Sequence, residues 1–171
     1  MSELSDQFKG KRSWFEKVVE YIPGFGGYLD RNRRREADKI LRDFIVDKFN
    51  IEKSNMENLR DTYTDDGNLE ALGKIDRSIR LMEQVMDKIR YSDRGYSGFF
   101  DEVKINEEEL EKMYQYDYSM LENLQEIKTL TVELGQEYSK DKIKVIDNAL
   151  KTLNTKIDER ENILINLSGT A

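Results

Sequence analysis

The stretch EEELEKMYQYDYSMLENLQEIKTLTVELGQEYSKDKIKVIDNALKTLNTKIDERENILINLS, residues 107–168, decides the fold. In its first half Leu110, Met113, Asp117, Met120, Leu124, Ile127, Thr131, Leu134 and Tyr138 recur at spacings of 3 and 4. In its second half Ile143, Ile146, Leu150, Leu153, Ile157, Arg160, Leu164 and Leu167 do the same. Such alternation is the signature of helices that bury one stripe, as in coiled coils and bundles. Asn106, with Glu109 three residues on, is a good cap for the first helix, and Ser168-Gly169 ends the second. Only a few residues around Ser139 separate them, so the two helices must be antiparallel neighbours.

Asp117 and Arg160 break the apolar rule of their stripes. Folding the stripes about the turn at Ser139 pairs Tyr138 with Ile143 and Leu134 with Ile146. It brings Asp117 within about one layer of Arg160, a gap that an arginine spans. The pattern therefore predicts a partly buried Asp117–Arg160 ion pair that fixes register at some cost in stability.

Earlier in the chain the same periodicity predicts a helix over about 69–90, with Leu72, Ile75, Ile79, Met82, Met86 and Ile89 inward. Asp65-Asp66-Gly67-Asn68 before it reads as a turn. A long helix is expected from about Tyr28 to Thr64, with a stripe of Ala37, Ile40, Leu41, Phe44, Ile45, Phe49, Met56, Leu59 and Tyr63. The stripe thins over Asn50–Asn55, where Ser54 and Glu57 form a capping-box pattern, so a kink or short break is expected there. A short amphipathic helix over about 12–21 carries Trp14, Phe15, Val18, Val19 and then Ile22. Pro23-Gly24 must end it. The expected organisation is residues 1–27 as an amphipathic helix with a glycine hinge, and 28–171 as one domain. The fold class is all-α, an elongated antiparallel bundle of about four long helices.

Composition agrees. The 171 residues include 1 proline, no cysteine and no histidine, and 37% are charged. Without Cys or His there is no disulfide, no thiol or His-dependent triad, and no zinc, haem or iron–sulfur site built on those ligands. The Glu-x-x-His pattern of carboxylate-bridged bundles fails for the same reason. The Asp65-Asp66-Gly67-Asn68 turn lacks calcium-loop spacing. Gly24-x-Gly26-Gly27 lacks the Gly-Lys-Ser/Thr ending of a phosphate loop. No cofactor, no metal and no enzymatic activity are expected; an enzyme working with carboxylates alone is the remotest alternative.

The formal net charge is −7, but residues 1–50 carry 11 basic and 9 acidic residues against 17 and 26 in the remainder. An acidic body argues against nucleic acid as a partner. The basic density at the front lies in Arg31, Arg33, Arg34 and Arg35, at the start of the long helix. A second unusual segment, residues 91–105, holds two glycines and the aromatics Tyr91, Tyr96, Phe99 and Phe100 beside Arg94, without helical period. Aromatic and arginine side chains are the usual anchors of interfaces. These residues are the candidates for binding a protein partner or a second copy of the chain. Trp14, Phe15 and Val18 supply the alternative, an interfacial helix of a peripheral membrane protein, although Glu16 and Glu20 weaken attraction to anionic lipid. No apolar run exceeds 3 residues. Neither a signal peptide nor a spanning helix is therefore expected. The expected place is the cytoplasm, peripheral at the inner face of the membrane under the alternative reading.

Three segments, Ile22-Pro23-Gly24-Phe25-Gly26-Gly27-Tyr28, Arg34-Arg35-Glu36-x-Asp38-Lys39 and Gly95-Tyr96-Ser97-Gly98-Phe99-Phe100-Asp101, resemble an uncharacterised family of prokaryotic all-helical proteins. The resemblance implies an all-α fold and directs attention to the arginine cluster and the aromatic segment. It carries over no activity and no catalytic residue.

Overall fold

The computed structural model describes Ile22, residues 34–92 and residues 107–168; of 34–37, 107–111, 113, 114, 163, 164 and 166–168 it describes the backbone alone. Among these residues there are four helices: α1 (Arg34–Asp65), α2 (Leu69–Tyr91), α3 (Glu107–Gln136) and α4 (Lys140–Ser168). At 1.5 Å per residue the longest is about 48 Å. They pack as an all-α bundle in the cyclic order α1, α2, α4, α3, leaving α1 diagonal to α4 and α2 diagonal to α3.

Two tight turns make two antiparallel hairpins. After α1, Asn68 N–H donates to Tyr63 C=O at 2.9 Å and Gly67 N–H to Thr64 C=O at 3.0 Å. This is a Schellman closure, and it requires the left-handed conformation that Gly67 adopts at φ 70°. Asn68 then caps α2, its Oδ1 accepting from Ala71 N–H at 3.1 Å. Ser139 serves α4 in the same way, its hydroxyl accepting from Lys142 N–H at 3.3 Å. The hairpins lie side by side with both turns at one end. Tyr63 beside Leu134 and Asp38 near Asp117 make α1 and α3 parallel. Ser78 beside Asp147 and Lys88 beside Asp158 make α2 and α4 parallel. Hence α1 and α3 begin, and α2 and α4 end, at the opposite end.

The core follows the stripes read from the sequence. Ile45, Phe49, Met56, Ile75, Met82, Ile127, Leu134, Ile146, Leu150 and Leu153 are fully buried. Each such side chain contributes roughly 1.5–3 kcal/mol by leaving water. Two details differ from expectation. First, α1 has no break at residues 50–55, because Glu52 is itself buried and continues the inward row Ile45, Phe49, Glu52, Met56, Leu59, Tyr63. The Ser54–Glu57 pattern sits inside the helix, where Lys53 bridges Glu57 at 3.3 Å and Glu83 of α2 at 3.0 Å. Second, the deepest row of α2 runs through Ala71, Ile75, Ser78, Met82, Val85 and Ile89. It lies partly to one side of the expected row because α2 must face both α1 and α4. Ile22 is also buried in this core.

Candidate functional site

Four of the eight buried polar residues described, Asp38, Arg42, Asp117 and Arg160, gather at the end where α1 and α3 begin. Arg160 of α4 donates from Nε to Asp117 Oδ1 of α3 at 2.7 Å. Its Nη2 reaches across the bundle diagonal to Asp38 Oδ1 of α1 at 2.5 Å. Arg42, one turn along α1, donates from Nε to the other Asp38 oxygen at 2.8 Å. The structure thus brings Asp117 and Arg160 together and adds two residues that the sequence reading did not assign to the site. All four side chains are between 2% and 11% exposed.

Among the described residues two carboxylates and two guanidiniums cancel formally, which favours burial of charge at this depth. Burial alone would push the Asp38 carboxyl up. The guanidiniums of Arg160 and then Arg42 outweigh it and hold the carboxyl below the usual aspartate range. Glu161, the neighbour of Arg160, is pushed the other way, first by burial and then by Asp158, against the pull of Lys88 and Arg160. A cavity of about 20 Å³ adjoins the network, lined among others by Leu41, Arg42, Asp117, Arg160 and Glu161. That is about the space of a single water and far below the several hundred Å³ of a small-molecule site. The chemistry of this layer is mutual neutralisation, which ties α1, α3 and α4 in one register.

A smaller polar contact joins α2 to α4. Ser78 Oγ donates to Asp147 Oδ1 at 2.6 Å, and Arg77 Nε lies 3.5 Å from the other oxygen. Thr131, on the inward row of α3, satisfies itself on Ile127 C=O at 2.9 Å. Among the described residues no group of three or more carboxylates is placed to hold a metal ion. No helix among them is long and apolar enough to cross a membrane.

No protein-family model, no curated protein and no solved structure matches this chain. The site therefore stands on its own geometry.

Several sequence candidates fall outside the described residues: Trp14, Phe15 and Val18, Arg31 and Arg33, and Arg94, Tyr96, Phe99 and Phe100. The side chains of Arg34 and Arg35 do as well, although their backbone opens α1. Asp38 and Arg42 were missed for an identifiable reason. Asp38 stands 3 residues before Leu41 and 7 before Ile45, an inward position like that of Asp117. The surrounding charges, Arg34 to Lys39, disguise it as part of a solvated face.

Proposed function

We propose that this chain is a non-catalytic binding or scaffold protein, and that its binding surface is the end of the bundle where α1 and α3 begin. The observation that supports this is one of connectivity. α1 starts at Arg34, α2 ends at Tyr91 and α3 starts at Glu107, all at that same end. The arginine run Arg31, Arg33, Arg34, Arg35 and the segment bearing Arg94, Tyr96, Phe99 and Phe100 are thereby attached to one end. Tyr91, 55% exposed at the close of α2, belongs to the same end. Directly beneath lies the ionic layer, which makes a rigid base. Arginines with aromatics suit a partner offering carboxylates around an apolar patch, or a second copy of this acidic chain.

The test compares two sets of variants in the native cell after chemical cross-linking. One set carries Arg33→Glu with Arg34→Glu, or Phe99→Ser with Phe100→Ser. The other carries Val145→Glu on the exposed face of α4. Loss of the same cross-linked partner, or of the homo-oligomer, in the first set alone supports the proposal, provided far-UV circular dichroism is unchanged. Retention of every cross-link in both sets rejects it. Loss of sedimentation with anionic vesicles in the first set would move the same end to a membrane surface.

A further inference from the structure

Of the four neighbouring helix pairs, α1 and α3 are the most loosely packed. Between them runs a groove of about 220 Å³, walled by Phe44, Ile51, Leu121 and Leu124. A second hollow of about 230 Å³ shares Leu121 and extends it past Tyr118. Ile51 is 52% exposed, although it lies among apolar neighbours. Lys48 lines the groove from α1 and Lys128 from α3. Among the described residues neither has a carboxylate within salt-bridge distance, whereas many of the other described lysines and arginines do. Glu52 also lines the groove. It is 4% exposed, and its one partner among the described residues is Asn55 Nδ2 at 3.2 Å. Lys48 Nζ lies 5.2 Å from the Phe44 ring centroid, but among the described residues neither lysine nor Glu52 meets an opposite charge, and an apolar trough so lined is an incomplete surface.

We propose that the α1/α3 groove is the seat of this chain's own amphipathic segment, residues 12–22. Three observations select that occupant. Ile22, its last residue, is buried in the bundle core, so the segment ends on the bundle. The length fits: the 12 peptide steps from Ile22 to Arg34 span at most about 40 Å, while Phe44 to Glu52 lie about 15–27 Å along α1. The charges fit as well. On a helix, Glu16 falls beside one edge of the stripe formed by Trp14, Phe15, Val18, Val19 and Ile22 and Lys17 beside the other, while Glu20 lies on the opposite face. Glu16 on one edge then meets Lys128 of α3, and Lys17 on the other meets Glu52 of α1. The inference goes beyond the proposed binding end. It assigns the front segment to the bundle flank and takes it out of competition for a membrane.

Trp14 is the single tryptophan of the chain, so its fluorescence reports the segment directly in the full-length protein. The expected result is blue-shifted emission with weak iodide quenching, independent of protein concentration. In Leu121→Asp the emission moves to the red and the quenching constant rises severalfold, while Val145→Asp on the exposed face of α4 leaves both unchanged. Lys48→Glu with Lys128→Glu changes only exposed positions and should give the same shift in a folded chain. Solvent-exposed Trp14 in the native chain overturns the proposal. So does shielding that survives both groove variants, which places the segment elsewhere. So does shielding lost on dilution, which assigns the groove to a second copy.

Discussion

Where α1 and α3 begin, the space between the helices is filled by Asp38, Arg42, Asp117 and Arg160; at the hairpin end it is filled by Tyr63, Leu134, Tyr138 and Ile143. The hairpin end needs little discrimination, because two short turns already hold each helix against its neighbour. There Tyr63 Oη donates to Leu134 C=O at 2.6 Å, and its ring meets Tyr138 edge-on at a centroid distance of 5.5 Å. Among the described residues the other end shows no such turn, and α2 and α3, diagonal to each other, are separated by 15 residues. Apolar layers tolerate sliding by one turn, because one isoleucine replaces another at small cost. A guanidinium that must meet Asp117 beside it and Asp38 across the diagonal does not. The difference teaches that chain connectivity aligns one end and charge pairing aligns the other.

The largest expected effect comes from opening the ionic layer. Arg160→Met removes the guanidinium that pairs with both buried aspartates, and should cost about 3–5 kcal/mol in urea unfolding at neutral pH. Ile127→Ala, in the apolar middle, is expected to fall in the range of about 2–5 kcal/mol through cavity formation. The two are told apart by pH. Asp38 is depressed in the folded chain, so its contribution is fully present above the unfolded aspartate value of 3.8 and is lost as pH falls through the lower folded value. Acid below that value should erode the native chain, while Arg160→Met shows a shallower loss and Ile127→Ala keeps the native slope.

Next in size is a pair of opposite sign at the hairpin end. Tyr63→Phe removes the hydrogen bond to Leu134 and should destabilise by about 1 kcal/mol. The Tyr138 hydroxyl is buried with no hydrogen-bond partner among the described residues. Tyr138→Phe should therefore be neutral or raise stability by up to about 1 kcal/mol. Both are read from thermal or urea midpoints, and equal destabilisation by the two would break the assignment. The smallest effect belongs to Glu161. Its carboxyl is raised in the fold, so its favourable contribution is present below the unfolded value and is lost as pH rises through the folded one. Glu161→Gln should raise the melting temperature slightly at neutral pH and leave it unchanged in acid.

What was legible in the sequence follows from the same contrast. The four helices and both turns were legible because apolar periodicity and Gly67, Asn68 and Ser139 state them locally. The Asp117–Arg160 meeting was legible because a short turn lets two stripes be folded together by counting. Asp38 was not, because its partner Arg160 is 122 residues away and no short turn links their helices. Glu52 produced the opposite error. A carboxylate on an inward row looks like the end of a stripe, and only packing against α3 reveals that the helix continues. Ser78 was overlooked because a helix with two neighbours buries a wider face than a single row predicts.

The most direct test of the account replaces the whole layer with apolar residues: Asp38→Leu, Arg42→Leu, Asp117→Leu and Arg160→Met in one chain. Its amide NMR spectrum is the measurement. Charge pairing as the source of register predicts a helical chain at least about as stable as the native one, but with several sets of amide signals for residues near that end. A single sharp set, with the native contacts between α1 and α3 and between α2 and α4 retained, would contradict it and show that apolar packing alone holds the register.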